Sequence, residues 1–163
     1  MTGSAFDTPE IVRCPEQHLA VVRDRVPMSG IPNLFDRAFP AIFAAMETAG
    51  VKPAGPALGV THGEPTETID ISAAVPLAAP FASVQSTVDG GGVTAETLPE
   101  GRAATLFVRG DYAQLGDAYA HLHGWVAEQG LTPTDLSWEQ YLTEPEPGGD
   151  PALNETRIYT LLE

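Results

Sequence analysis

The residues best suited to bind a ligand lie in one short segment near the C-terminus, residues 137–142, which reads SWEQYL. Successive side chains of an extended strand point to opposite faces, so Glu139 and Tyr141 share one face and Trp138 lies on the other. A carboxylate among aromatic rings is costly to leave charged unless a cation or hydrogen-bond donors compensate it. Each well-placed ring attracts a cation by about 0.5–2 kcal/mol. This chemistry favours a pocket for lipophilic cations.

Two further tyrosines are candidates for the walls of that pocket. Tyr159 lies in the last extended segment and flanks Glu139 together with Tyr141 if the two strands pair in a suitable register. Tyr112 follows Arg109-Gly110-Asp111 at a strand-to-helix turn, where a side chain can reach the rim of a cleft. The competing interpretation is that Glu139 is a solvated strand residue and the aromatic rings are core.

An internal repeat sets Glu139 apart from the rest of the chain. Three pairs define the alignment: Arg25 with Arg109 at an offset of 84, and Phe39 with Tyr119 and Pro53 with Pro133 at an offset of 80. The change in offset marks an extra segment around Met28–Pro32. At the second offset Gly59 aligns with Glu139. At this position only the second copy has a carboxylate, which predicts a site placed off-centre on a two-fold frame.

Each half of the repeat is predicted to run strand, strand, helix, strand, strand. The first half, about residues 9–77, has strands at 10–13, 19–25, 57–62 and 69–75 and a helix from about Phe35 that ends at Gly50. The second half, about residues 93–163, has strands at 93–98, 102–108, 138–143 and 157–162 and a helix from Leu115 that ends at Gly130. Pro40 should kink or shorten the first helix.

The segments between these elements are rich in glycine and proline. Asp89–Gly92 is the expected flexible link between the halves, and the loop Glu144–Thr156 is expected to be mobile. Two strand–helix–strand patterns in succession predict an α+β fold, with antiparallel sheets that are each covered by a helix. The repeat predicts pseudo-two-fold symmetry and a ligand cleft where the halves meet, within a single domain of 163 residues. Because the repeat already supplies this symmetry internally, we expect a monomer.

Composition and charge narrow the possible partners. With 8 basic and 22 acidic residues the formal net charge is −14, which repels phosphate backbones and makes nucleic-acid binding unfavourable. No apolar run approaches the roughly 20 residues of a membrane helix, and no basic segment with an apolar run begins the chain. The single Cys14 excludes an internal disulfide and fits a reducing cytoplasm, as a small buried side chain.

No metal or cofactor is expected. The four histidines, His18, His62, His121 and His123, lack the spacing of a zinc site, and one cysteine cannot complete it. Gly90-Gly91-Gly92 is not a phosphate loop, since no lysine–serine pair and helix start follow. His62 follows the first-half counterpart of the Glu139 segment, and either a cleft or a surface position suits it.

The order of these motifs resembles the GyrI-like small-molecule-binding domain family, which is related to the multidrug-sensing domain of BmrR-type regulators. Four motifs between about Glu10 and Leu162 carry the resemblance: Ala20-Val21-Val22-Arg23 with Arg25, Arg109-x-x-Tyr112, Trp138-Glu139-x-Tyr141-Leu142 followed by Pro145, and Arg157-Ile158-Tyr159. The resemblance implies a tandem βαββ-type fold with Glu139 at the floor of the pocket. It also implies that Tyr112, Tyr141 and Tyr159 line the pocket, with Trp138 as a further candidate. Where many relatives have a tyrosine, this chain has Met28, whose thioether would make one wall softer.

Two classes of function follow from this resemblance. The preferred one is a stand-alone protein that binds, sequesters or senses amphipathic, often cationic aromatic molecules. The length leaves no room for a helix-turn-helix, so sensing would require a protein partner. The alternative is a hydrolase of reactive cyclopropanoid DNA-alkylating compounds, with Glu139 as general base and Tyr141 or Tyr112 as hydrogen-bond donor. An adaptor that acts on another enzyme is the least favoured interpretation.

Overall fold

The computed structural model describes residues 8–63, 66–79, 86–88, 91–110, 115–142 and 154–163. These residues form nine strands and two helices, which follow one another as β1 (Glu10–Cys14), β2 (Gln17–Pro27), α1 (Ile31–Ala49), β3 (Leu58–His62), β4 (Thr68–Pro76), β5 (Ser86–Val88), β6 (Gly91–Leu98), β7 (Gly101–Arg109), α2 (Leu115–Glu128), β8 (Pro133–Tyr141) and β9 (Glu155–Leu162). They divide into a central unit, Pro15–Glu100, and a terminal unit made of Met1–Cys14 and Gly101–Glu163.

The central unit is an antiparallel sheet with α1 on one face. The strands lie in the order β3-β4-β2-β6-β5. Alternate residues of β2 and β4 point toward α1 and are buried against it, because a strand exposes every second side chain to the same face. The core under α1 includes Ala20, Val22, Ile71, Ala73, Leu34, Ala38, Ile42 and Met46.

The ends of α1 follow from proline and glycine chemistry. Pro32 lies in the first turn, where the missing N–H has no helical partner to lose. The helix ends at Gly50, which has a φ of 69° and adopts the left-handed conformation that a glycine C-cap favours. This confirms the predicted C-terminus of the helix. Pro40 does not shorten α1, which runs on to Ala49.

The terminal unit is also an antiparallel sheet covered by one helix. Its strands lie in the order β1-β7-β9-β8, and α2 packs on one face. The core under the helix includes Ala104, Leu106, Val108, Ala118, Leu122, Val126, Ile158 and Leu162. Gly130, just after α2, has a φ of 71°, as predicted for the residue that closes this helix.

The α+β class with antiparallel sheets is confirmed, and the strand pairing adds a feature that the sequence did not reveal. β1 precedes β2 in the chain but pairs with β7, and β6 precedes β7 but pairs with β2. The two compact units therefore differ from the two sequence halves by an exchange of their first strands. The duplication and its pseudo-symmetry remain predictions.

Three segments differ from their predicted structure. Gly91 and Gly92 lie in β6, paired with β5, instead of in a flexible link. β8 begins at Pro133 instead of Trp138, because Pro133 still pairs with Leu162 of β9, beyond an irregularity between Pro133 and Ser137. Glu155 and Thr156 belong to β9, while the rest of the loop that was expected to be mobile lies outside the described residues, as do Asp89 and Gly90. Neither described helix is long and apolar enough to cross a membrane.

Candidate functional site

The side chain of Glu139 lies on the face of the terminal sheet that α2 covers. Its register partner on β9 is Ile158, which is buried in the core under α2. The alternation of β8 brings Tyr141 to the same face, as the sequence predicted.

Two tyrosine hydroxyls hold the Glu139 carboxylate. The hydroxyl of Tyr141 donates a hydrogen bond to Oε1 over 3.0 Å. The hydroxyl of Tyr119, from α2, donates to Oε2 over 3.0 Å. Each carboxylate oxygen therefore has one phenolic donor, and the two donors come from different elements. The arrangement is a carboxylate clamped between aromatic side chains.

The electrostatics of this clamp are set by burial. Desolvation raises the pKa of Glu139 above that of a free carboxyl group, and the hydrogen bonds from Tyr141 and Tyr119 oppose that shift. The pKa of Tyr119 is raised well above its ordinary value, first by burial and then by the charge of Glu139. Among the described residues, no lysine, arginine or histidine forms an ion pair with Glu139.

Trp138 and Tyr159 lie on the opposite face of the same sheet. They are register partners on β8 and β9, and their rings stack with centroids 5.2 Å apart and planes 12° apart. The hydroxyl of Tyr159 donates to Oε1 of Gln140 over 3.4 Å. The expectation that Tyr159 and Tyr141 together flank Glu139 is therefore wrong. The register places Tyr159 opposite Trp138, on the face that Glu139 does not occupy.

The remaining predicted residues are not part of the clamp as described. Met28 lies in the central unit, in a short 3₁₀ turn at Met28–Gly30, and is 54% exposed. Tyr112 lies outside the described residues. Cys14 is buried in β1, and burial raises the pKa of its thiol. No group of three or more histidine, cysteine, aspartate or glutamate side chains in the described ranges has the arrangement of a metal site.

Sequence reasoning missed Tyr119 as a site residue. It lies in the apolar stripe of α2, where an aromatic side chain is indistinguishable from core packing. The repeat held a usable signal, because Phe39 aligns with Tyr119 just as Gly59 aligns with Glu139. Both positions become polar in the second copy only. Two such changes together predict a hydrogen bond between a phenol and a carboxylate, which the structure contains.

Several solved structures share this fold. The EcmrR C-terminal domain superposes with a TM-score of 0.80 at 21% identity, over 97% of this chain and 98% of that one. In the EcmrR–DNA complex the match has a TM-score of 0.79 at 22% identity and covers 96% of this chain, which spans only 57% of the EcmrR chain. A hydrolase encoded by lin2189 from Listeria innocua matches with a TM-score of 0.69 at 16% identity, over 95% and 91% of the two chains.

SAV2435 bound to tetraphenylphosphonium also shares the fold, with a TM-score of 0.64 at 12% identity over 96% of this chain and 94% of that one. No curated protein sequence matches the chain significantly. The family model of the GyrI-like small molecule binding domain matches residues 7–163. The chain therefore belongs to the GyrI-like small-molecule-binding domain family.

Proposed function

We propose that this protein binds amphipathic, often cationic aromatic small molecules and that Glu139 supplies the negative charge that selects them. The observation that carries the proposal is the pair of tyrosine hydroxyls on the two oxygens of a partly buried carboxylate. Because water is partly excluded from such a carboxylate, its charge is poorly solvated and attracts a cation more strongly than an exposed carboxylate does. Aromatic faces nearby add cation–π attraction.

A neighbour with the same fold supports the chemistry of the ligand. SAV2435 was solved with tetraphenylphosphonium, a lipophilic aromatic cation. At 12% identity this likeness gives the fold, so the ligand class for the present chain rests on its own Glu139 and tyrosines. The physiological role we propose is sequestration of such compounds, or sensing of them through a protein partner.

Fluorescence polarisation of a rhodamine dye tests the proposal. We expect Glu139→Gln to weaken binding of the dye at least about tenfold, the factor that corresponds to one charge-assisted interaction. The substitution removes the charge and keeps the shape, so an uncharged planar dye such as Nile red serves as the matched ligand. Equal losses for both dyes would contradict an electrostatic role for Glu139.

A second candidate function is hydrolysis of reactive cyclopropanoid compounds at the same residues. It is favoured by the fold shared with the Listeria innocua hydrolase and by the raised pKa of Glu139, which suits a general base. Glu139 would take a proton from water as the water oxygen bonds to a cyclopropane carbon and a ring C–C bond breaks. The electron pair of that bond would move to the conjugated carbonyl oxygen, to which the hydroxyl of Tyr141 or Tyr119 would donate a hydrogen bond.

Turnover separates the two functions. A reactive cyclopropanoid compound is incubated with catalytic amounts of protein, and loss of the compound is followed by absorbance. Many equivalents consumed per protein, with loss of this activity in Glu139→Gln, would establish the hydrolase. Saturable binding with the compound recovered intact would leave the binding function.

A further inference from the structure

A cluster of three polar side chains lies in the central unit, on the sheet face turned away from α1. Ser72 occupies β4 between Ile71 and Ala73, which are both in the core under α1, so its own side chain points to the other face. Its hydroxyl donates to Oε1 of Glu96 over 3.1 Å. Nε2 of His62 lies 3.2 Å from the same oxygen and 3.3 Å from the serine hydroxyl.

The cluster lies where the apolar and the charged residues of this face meet. Leu19, Val21, Leu58, Val60, Ala74 and Leu98 are almost completely buried, whereas the register partners of Ser72 and His62 are Arg23 and Asp70. Ser72 is fully buried, whereas the side chains of His62 and Glu96 keep 20% and 17% of their exposure. The accessible part of the cluster therefore belongs to His62 and Glu96.

One oxygen of the cluster has no hydrogen-bond partner within the described part of the chain. Oε2 of Glu96 is buried and accepts no hydrogen bond there, whereas Oε1 accepts one from Ser72. An unsatisfied buried carboxylate oxygen is uncommon in a folded protein, because it loses its hydration without compensation. The terminal torsion of a glutamate is broad, so the carboxylate can rotate to meet a donor.

The guanidinium of Arg23, the register partner of Ser72, is hydrogen-bonded to a different carboxylate. Nε and Nη2 of Arg23 donate to the two carboxylate oxygens of Asp70 over 2.9 and 2.7 Å. Among the described residues, the recorded ion-pair partner of Glu96 is His62, which is charged only when protonated. With a neutral imidazole the three-residue cluster carries one negative charge, on which the Arg23 guanidinium also acts although its hydrogen bonds go to Asp70.

We propose that His62, Ser72 and Glu96 form a second ligand site, specific for the ammonium group of a small organic amine. An ammonium group has three N–H donors and no acceptor, which complements a carboxylate oxygen that lacks a donor. The positive charge of the ammonium group also balances the negative charge of Glu96. This site differs from the one at Glu139, where each oxygen already accepts a tyrosine hydrogen bond, and the inference does not depend on the proposed function.

The test compares two ligands with the same ring and charge in the Glu139→Gln protein, which removes the charge of the other site. Benzylamine has ammonium N–H donors, and benzyltrimethylammonium has none. We expect benzylamine to shift the imidazole NMR signals of His62 saturably, and benzyltrimethylammonium to leave them unchanged. Adding Glu96→Gln should weaken benzylamine binding at least about tenfold, as expected for one charge-assisted hydrogen bond.

Glu16→Gln is the matched control, since it removes one exposed carboxylate from β-sheet flanking sequence without touching the cluster. It should leave the affinity for benzylamine unchanged. Equal shifts from both ligands, or no shift of His62 with either, would overturn the site and leave a purely structural hydrogen-bond cluster. The ligand comparison uses a protein with an intact cluster, so it decides the question even if Glu96→Gln folds poorly.

Discussion

Glu139 is held between two opposing effects, and their balance predicts how ligand binding depends on pH. Burial raises its pKa, while the hydroxyls of Tyr119 and Tyr141 lower it by stabilising the ionised form. The cationic ligand that we propose would bind the ionised carboxylate. Affinity is therefore full above the raised pKa and is lost as the pH falls through it.

Removing one tyrosine hydroxyl should raise the pH at which half of the ligand affinity is lost. Tyr119→Phe deletes a hydrogen bond to the ionised form, so the pKa of Glu139 rises further and rhodamine binding is lost at a higher pH. Dye titrations across the acidic range measure the midpoint. Tyr159→Phe is the control, because its hydroxyl bonds to Gln140 on the other face of the sheet. An unchanged midpoint in Tyr119→Phe would exclude the hydroxyl as a determinant of the charge.

The same carboxylate should cost stability at neutral pH. Its folded pKa lies above its unfolded value, so between the two values the folded state binds more protons than the unfolded state. The free energy of unfolding therefore falls as the pH rises through this window. Glu139→Gln has no such group, and we expect its stability to increase relative to the wild type over the same range. Urea denaturation at several pH values measures this difference, and parallel pH curves for the two proteins would refute it.

Single residues also mark the limit of what the sequence could reveal. The pairing of Glu139 with Tyr141 was predictable, since it depends only on alternation within one strand. The partnership with Tyr119 required knowledge of which helix face meets which strand. Tyr159 was placed on the wrong face because its orientation relative to Glu139 depends on register, which neither strand encodes by itself.

At the scale of the elements, the predicted ends of the helices were more accurate than the predicted pairing of the strands. Gly50 and Gly130 end their helices through a local backbone conformation that few other residues adopt readily. Strand pairing depends on partners distant in the chain. The exchange of β1 and β6 between the units shows this, because β1 pairs with β7 and not with β2, while β6 pairs with β2 and not with β7.

Helix α1 carries an interior proline whose cost is measurable. Pro40 is exposed and cannot donate the backbone hydrogen bond that the helix would make there. A proline in a helix interior costs about 3 kcal/mol, partly offset by roughly 0.4–1 kcal/mol because it stiffens the unfolded chain. We therefore expect Pro40→Ala to raise the free energy of unfolding by about 2 kcal/mol in urea titrations, from the difference of those two values.

The matched control for Pro40 is Pro32, in the first turn of the same helix. No helical hydrogen bond is available to its nitrogen, so Pro32→Ala should leave stability nearly unchanged or lower it slightly. If Pro40→Ala were neutral or destabilising while Pro32→Ala behaved as expected, the packing of α1 would depend on the proline side chain at this position.

On the scale of the whole molecule, the net charge of −14 acts together with the local charge of Glu139. The contributions of the net charge and of Glu139 to ligand binding can be distinguished, because they depend differently on salt. Exposed charges more than about 10 Å away are largely screened at 0.1 M ionic strength, whereas a partly buried charge in contact with the ligand is screened much less. Added salt should therefore weaken rhodamine binding in both the wild type and Glu139→Gln.

The ratio of the two dissociation constants should nevertheless stay nearly constant across the salt series, at about tenfold or more. This is expected because the difference between the proteins arises from a contact charge, while the salt-dependent part comes from surface charges that both proteins share. Fluorescence polarisation from low salt to about 0.3 M, where the Debye length is shorter than at 0.1 M, measures both values. A ratio that falls toward one at high salt would mean that Glu139 attracts cations only as one member of the surface charge, and the clamp of Tyr119 and Tyr141 would then be structural.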